Sequence, residues 1–244
     1  MKTIITQVLI VFILASCSPI YYAPNAQNVP LFKEKNDFKI SAQYSMGEDM
    51  KAIEIQTAYS IDSLFAIQLN GMQTIKNEKA NGSYMDLAIG HYKNLPNNWV
   101  FEIYVGFGSG TVKWRYGDSY NNNIGLNNPS SKVKFNKLFV QPNIGYASNH
   151  FEFAFSYRIG ILSYTSITTQ DIPATNEFDL NVLNDTHLMS EPALTLRVGG
   201  ELVKLKAQLG YSVDLNNDDF KYNQDNWNLN FGLKFSLNKR TLEL

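Results

Sequence analysis

Two segments of this sequence alternate between apolar and polar residues, and this alternation restricts the possible folds more than any other feature. In residues 151–161 the odd positions are aromatic or aliphatic, while the even positions include a glutamate, an arginine and a glycine. Residues 227–237 repeat the pattern, with asparagine, glycine and lysine at even positions. Alternation over about ten residues is typical of a transmembrane β-strand, which needs about 9–11 tilted residues. The two segments therefore predict an all-β transmembrane barrel.

The same rule predicts eight further strands along the chain. They lie near residues 37–46, 51–60, 63–73, 83–92, 99–109, 132–147, 189–199 and 202–214. The predicted fold is an antiparallel up-and-down barrel of about ten strands, with eight strands as the alternative. Pro142 falls in the outward row of its strand, and because proline has no N–H to donate, we expect a β-bulge there.

The predicted connections alternate in length. The short ones lie at 60–62, 93–98, 148–150 and 200–201. The long, polar ones lie at 110–131, 164–188 and 215–226, and the short connection 47–50 is the exception on that side. Outer-membrane barrels have short periplasmic turns and longer extracellular loops. This pattern predicts that the first strand starts, and the last strand ends, on the periplasmic side.

The N-terminus has the pattern of a bacterial lipoprotein signal peptide. Lys2 precedes an apolar run at 4–14 that is too short to span a bilayer as a helix. Residues 14–17, Leu-Ala-Ser-Cys, match a lipoprotein cleavage box. Cys17, the only cysteine, is therefore predicted to become the first mature residue and to carry acyl chains such as palmitate. An ordinary secretory signal or a buried N-terminal helix is the alternative.

The segment that follows the cysteine contains Pro19, Pro24 and Pro30, which favour an extended linker. Residues 17–36, CSPIYYAPNAQNVPLFKEKN, resemble the start of small outer-membrane β-barrel lipoproteins of Bacteroidota. The resemblance is concentrated in these twenty residues, is one of pattern over the rest of the chain, and implies an outer-membrane location. Surface lipoproteins of that phylum carry acidic residues directly after the lipidated cysteine. Residues 18–22 contain none, which implies a lipid anchor on the periplasmic side.

The predicted organisation is a signal peptide at 1–16, a lipidated extended linker at 17–36, an outer-membrane barrel at 37–238 and a tail at 239–244. The sequence has 21 Lys and Arg against 22 Asp and Glu, so its charge does not favour nucleic-acid binding. No mature segment approaches eighteen consecutive apolar residues, which excludes a helical membrane protein. The expected partners are outer-membrane lipid and proteins of the cell envelope.

Charged residues recur in the predicted inward rows of the strands. They carry both signs: Lys39, Glu54, Glu102, Glu152, Arg158, Arg197, Lys204, Lys206 and Lys234. A barrel of this size is nearly filled by its own side chains, and buried charges of mixed sign are expected to pair. The lumen is therefore predicted to hold a structural polar plug. A narrow channel for a small solute is the alternative.

An enzymatic site at the outer rim is another alternative. The histidines are His91, His150 and His187, of which the first two fall at predicted periplasmic strand ends as solvated residues. Asp185 and His187 are similar to half of the omptin protease site, but no matching Asp-x-Asp occurs on the opposite outer loops. Ser190 and Glu191 add the residue types of a lipid deacylase. Ser190, however, would lie on the opposite strand face from His187.

No metal-ligand spacing, phosphate-binding glycine loop or cofactor motif occurs in the sequence, so neither a metal nor a cofactor is expected. Ligand contact is most plausible at Trp114, Tyr116 and Tyr120 in loop 110–131, because amphipathic aromatic rings suit glycan or protein surfaces. Alternatively, these rings form an interfacial girdle or a loop cap. The predicted function is that of a non-enzymatic interaction or accessory subunit, acting through its loops or wall.

Overall fold

The computed structural model describes residues 20–75, 80–115, 130–170, 186–216 and 224–238. Within these ranges, no helix has the length and hydropathy needed to cross a membrane. The strands are β1 (Phe38–Met46), β2 (Lys51–Ser60), β3 (Phe65–Thr74), β4 (Ala80–Asn94), β5 (Trp99–Arg115), β6 (Ser130–Ala147), β7 (Phe151–Gln170), β8 (Thr186–Gly199), β9 (Val203–Tyr211), β10 (Val213–Asp214) and β11 (Trp227–Leu237).

The strands close into an antiparallel barrel with ten strand positions. Consecutive strands pair from β1 to β9, β9 pairs with β11, and β11 pairs with β1, which closes the ring. β9 and β10 share one position, because both pair with β8 in the same register and only Ser212 separates them. The unpaired stretch of β8 contains Pro192, which has no N–H to donate. The prediction of ten strands is therefore confirmed, and eight strands is excluded.

The prediction of a bulge at Pro142 is wrong. The pairing of β6 with β7 keeps one register from Val140 to Asn143, so only the ladder pairs around the proline are missing. The register shift between these two strands lies instead between Lys134 and Phe135. A missing donor therefore removes ladder contacts at Pro142 without inserting an extra residue.

The outer face of the barrel is apolar, and the inner face is polar and closely packed. Phe107 and Phe231 on the outer face are 54% and 48% exposed, whereas all the predicted lumen charges are buried. Gly106 in the inward row of β5 makes room for an aromatic ring, because a Cβ atom there would lie 2.3 Å from the Phe139 ring. The predicted inward and outward rows are confirmed.

The connections distinguish the two ends of the barrel. The turns after β2, β4, β6 and β8 are short, and we call this the short-turn end. The connections after β5, β7 and β10 are long, and we call the opposite end the long-loop end, although the β1–β2 and β3–β4 connections there are also short. His91 and His150 lie near the short-turn end, as the sequence predicts.

Residues 20–36, which we call the plug segment, run through the lumen from one end to the other. Tyr22 forms a parallel bridge with Gln224 at the long-loop end. At the short-turn end, the Asn36 N–H donates to the Ser60 carbonyl at 2.9 Å, just before β1 begins. The sequence predicts an extended linker here, and the structure adds that its described part, residues 20–36, lies inside the barrel.

Candidate functional site

The sequence of the plug segment matches its position in the lumen. Residues 20–23 belong to an apolar cluster at the long-loop end, together with Met50 and Trp114. Residues 29–32 contribute to apolar clusters at the short-turn end. The polar residues Asn25, Gln27 and Asn28 lie between these two groups and are buried as well. The segment is therefore apolar where it closes each end and polar at its centre.

Side chains of the wall satisfy the main chain of the plug segment. The Gln208 amide on β9 accepts from the Gln27 N–H at 2.8 Å and donates to the Gln27 carbonyl at 2.9 Å. Glu54 accepts from the Ala26 N–H at 3.0 Å, and Gln56 donates to the Ala26 carbonyl at 2.8 Å. Buried peptide groups need such partners, and here the side chains take the place of a neighbouring strand.

Every strand position of the barrel contributes to this arrangement. One side chain from each of the ten positions bonds to the plug segment: Lys39, Glu54, Asn70, Asp86, Glu102, Gln141, Arg158, Arg197, Gln208 and Lys234. A segment bonded from all sides is an integral part of the barrel interior.

Glu191 is the centre of a charge cluster in the half of the lumen nearer the long loops. Its carboxylate accepts from Lys137 Nζ at 2.6 Å and from the Tyr22 hydroxyl at 2.6 Å. Arg158 NH1 lies 3.6 Å away and also donates to Asn25 at 2.8 Å. Lys137 and Glu191 are lumen residues that the sequence-based prediction missed. The period-two pattern of β6 and β8 would have placed both of them inward.

Glu152 is the centre of a second cluster, nearer the short turns. Arg197 and Lys234 each lie 2.7 Å from its carboxylate, and Lys204 lies at 3.3 Å. Arg197 also donates to the Val29 carbonyl at 2.6 Å, so the cluster holds the plug segment in place. Opposite charges therefore pair as predicted around Glu152 and at Arg158. The other predicted lumen charges bond to neutral groups: Lys39, Glu54, Glu102 and Lys206.

Leu31 has a left-handed backbone conformation within the plug segment. Its φ of 56° lies in the left-handed region, which costs a leucine on the order of 1–3 kcal/mol. Lys39 Nζ donates to the Leu31 carbonyl at 2.7 Å and to the Pro30 carbonyl at 3.0 Å. These bonds, with the burial of the Leu31 side chain, offset the strain. Leucine is not a typical turn residue, so sequence could not predict this conformation.

Asp225 connects three parts of the chain at the long-loop end. Its carboxylate accepts from the N–H groups of Asp49 and Met50 at 3.0 and 3.1 Å. Its own N–H donates to the Tyr22 carbonyl at 3.0 Å. Burial raises the pKa of this carboxyl group to about 6, although the two N–H donors oppose the shift.

This raised pKa predicts a pH dependence of stability. The unfolded chain ionises near pH 4, whereas folded Asp225 keeps its proton to about pH 6. The folded state binds more protons between these values, so the contribution of Asp225 to the free energy of unfolding decreases by up to about 3 kcal/mol from pH 4 to pH 6. Urea unfolding of Asp225→Asn should lack this decrease. Asp62→Asn, in an exposed turn, is the control and should retain the decrease in stability. If both variants and the parent show the same dependence of stability on pH, Asp225 is not the group responsible.

His187 is the strongest candidate for chemistry at the rim. Its Nδ1 lies 2.6 Å from Asp214 on β10, and both side chains are buried. Ser190 points to the other face of β8, as predicted, where its hydroxyl is 2.9 Å from that of Tyr157. Glu191 is engaged in its own charge cluster. The structure therefore brings together a His–Asp pair but not the His, Ser and Glu set considered from the sequence.

Other predicted site residues have different outcomes. Trp114 is not at a loop surface, which corrects that expectation: it lies within β5, 5% exposed, in the apolar cluster around the plug segment. Cys17, Tyr116, Tyr120 and Asp185 lie outside the described residues. Among the described residues, no group of His, Cys, Asp or Glu is arranged to hold a metal ion.

The cavities beside the plug segment are small. Two that border its polar centre and its long-loop portion measure about 10 Å³ each, and one at the short-turn end measures about 120 Å³. A cavity of roughly 10–15 Å³ on this scale holds about one water molecule. The plug segment thus occupies the space that an open pore would need.

No protein-family model matches the sequence, and no curated protein matches it. Among solved structures, the chain is similar to the outer membrane protease OmpT from Escherichia coli, with 10% identity over 84% of this chain and 99% of that chain, at a TM-score of 0.52. The translocator domain of autotransporter NalP from Neisseria meningitidis has 10% identity over 84% and 89% of the two chains, at a TM-score of 0.49. At such identities, the likeness to OmpT shows the fold alone. That fold is a closed antiparallel β-barrel of the outer-membrane type.

Proposed function

We propose that this protein is a lipid-anchored barrel of the bacterial outer membrane that acts as a non-enzymatic interaction or accessory subunit of an envelope complex. The observation that carries the proposal is the occupied lumen, since the plug segment is bonded to all ten strand positions. A barrel closed in this way offers partners its outer wall and its connections, and offers solutes little space.

The outer surface supports a membrane location. An apolar band is bordered by aromatic pairs: Trp99 and Tyr146 lie 6.1 Å apart at the short-turn end, and Tyr211 and Trp227 lie 4.6 Å apart at the other. Aromatic girdles of this kind mark both interfaces of outer-membrane barrels. The N-terminal cleavage box supports acylation of Cys17, which intact mass of the mature protein would test.

A rim hydrolase is the second candidate, because His187 and Asp214 form a buried hydrogen-bonded pair. A narrow channel is the third, and the filled lumen disfavours it. Neither candidate is needed to explain why the lumen contains buried charges, because these charges are bonded to one another and to the plug segment.

The proposal is tested by conductance and by mutation. The purified protein in a planar bilayer should give no stepwise conductance, and a tagged copy from native membranes should co-purify with the same envelope proteins in stoichiometric amounts. His187→Gln with Asp214→Asn, which keeps hydrogen-bonding side chains at the buried pair, should fold and should not reproduce the defect of a deletion strain. A folded double variant that reproduces the deletion defect would favour the hydrolase, and reproducible conductance steps would favour the channel.

A further inference from the structure

We propose that the lipid on Cys17 emerges at the long-loop end of the barrel, opposite to the end expected from the sequence. Its acyl chains would then lie in the membrane leaflet that borders the long connections. The inference rests on the lipidation and the outer-membrane location proposed above. It follows from the direction in which the plug segment runs through the lumen.

Both ends of the plug segment are fixed to the barrel. At the short-turn end, the Tyr59 hydroxyl donates to Asn36 at 3.0 Å, two residues before the start of β1. At the long-loop end, the Tyr164 hydroxyl donates to the Tyr21 carbonyl at 3.1 Å, and the Asp225 N–H donates to the Tyr22 carbonyl at 3.0 Å. The chain leading back to Cys17 therefore starts at the long-loop end.

The short distance along the chain limits where Cys17 can be. It precedes Ile20 by three residues, and an extended chain spans at most about 3.3–3.6 Å per residue. Cys17 is therefore within about 11 Å of Ile20. The nine residues of β1 alone span about 30 Å at a rise of roughly 3.3 Å per residue. A lipid on Cys17 cannot reach the leaflet at the short-turn end.

The surroundings of Ile20 fit a chain that leaves the barrel there. Ile20 and Tyr21 are each 1% exposed and close the lumen together with Trp114 and Met189. Trp227 and Tyr211 form the aromatic pair on the outer face of the same end. A residue three positions before Ile20 therefore lies at the end of the barrel that carries this aromatic pair.

The experiment uses full-length protein with one protease recognition site per variant, in otherwise unchanged cells. The sites are placed between Ser18 and Pro19, beside Asn122, and in the short turn between Asn97 and Asn98. With the long loops outside, protease added to intact cells should cut the first two sites completely. The first cut should remove the acylated residue, seen as loss of its mass from the barrel. The Asn97 site should be cut only after the outer membrane is opened.

The outcomes separate this inference from the proposed function. Cleavage at Asn122 with protection of the Ser18 site would overturn the inference. If the Ser18 and Asn122 sites are both protected and the Asn97 site is cut, the barrel has the opposite orientation in the membrane. That result would still support the inference that Cys17 lies at the same end of the barrel as the long loops. If the intact mass of the mature protein shows no acyl chains, the proposed lipidation is wrong and the lipid part of this inference fails with it. The cleavage pattern would still show at which end of the barrel the N-terminus lies.

A crosslinking pair provides the test if an inserted site prevents folding. Tyr22→Cys with Gln224→Cys should form a disulfide on oxidation in membranes, because bridged chains lie about 4.8 Å apart. Tyr22→Cys with Ser60→Cys, at the opposite end, is the matched control and should remain reduced. Peptide mapping identifies the linked residues. A disulfide in the control pair, with none in the first pair, would overturn the direction of the plug segment.

Discussion

Glu152→Ala is expected to destabilise the barrel by about 3–5 kcal/mol, the cost of leaving buried charges without their partner. Three cations, Arg197, Lys204 and Lys234, surround this single carboxylate, and two of them also hold carbonyls of the plug segment. The loss should appear in the urea midpoint in detergent micelles and in the temperature at which the folded band disappears on a gel.

Glu201→Ala is the matched control for this prediction. Glu201 lies in the exposed turn between β8 and β9, near the same end of the barrel. Its substitution should change stability by no more than about 0.5 kcal/mol. If the two variants are equally stable, Glu152 does not neutralise a buried cluster, and the description of the lumen as a charge-paired interior fails.

Phe231→Arg is expected to cost about 2–4 kcal/mol and to impair assembly, because an arginine in the middle of a lipid-facing strand must enter the hydrocarbon. Phe231 lies at the centre of β11, where it pairs with Tyr44 and Ala207, and its side chain is 48% exposed. The measurement is the folded fraction in lipid vesicles, read from heat-dependent mobility.

Phe151→Arg carries the same change at the first residue of β7, at the short-turn end. An arginine near the interface should cost only about 0–1 kcal/mol. The difference between the two positions is the informative quantity. If arginine costs the same at both positions, the cost does not depend on depth in a membrane, and the membrane location would lose its main physical support.

The barrel itself was predictable because its signal is local and repeated. Phe151, Phe153 and Phe155 alternate with polar or small residues, and the same contrast recurs in nearly every strand. The inward polar rows were predictable for the same reason. Long strands such as β7, which continues to Gln170, were underestimated because small polar residues on both faces weaken the alternation.

The plug segment was not predictable in the same way. Gln208 is an inward residue by pattern, but its partner is the main chain of Gln27, 181 residues earlier. Main-chain groups have no sequence signature, so the contact cannot be inferred from either residue. His187 presents a similar case: its carboxylate partner Asp214 lies 27 residues later in the chain. The sequence pointed only to Asp185, which lies outside the described residues.

The route of the plug segment constrains the order of assembly. Its residues precede β1 in the chain, yet they end up surrounded by strands that are made later, up to β11. The segment is surrounded by side chains that bond to it, and the cavities left beside its centre measure only about 10 Å³ each. We therefore expect the sheet to wrap around the segment while β1 and β11 are still apart. Joining those two strands would then be the last step, and it would enclose the plug segment inside the wall that its own chain forms.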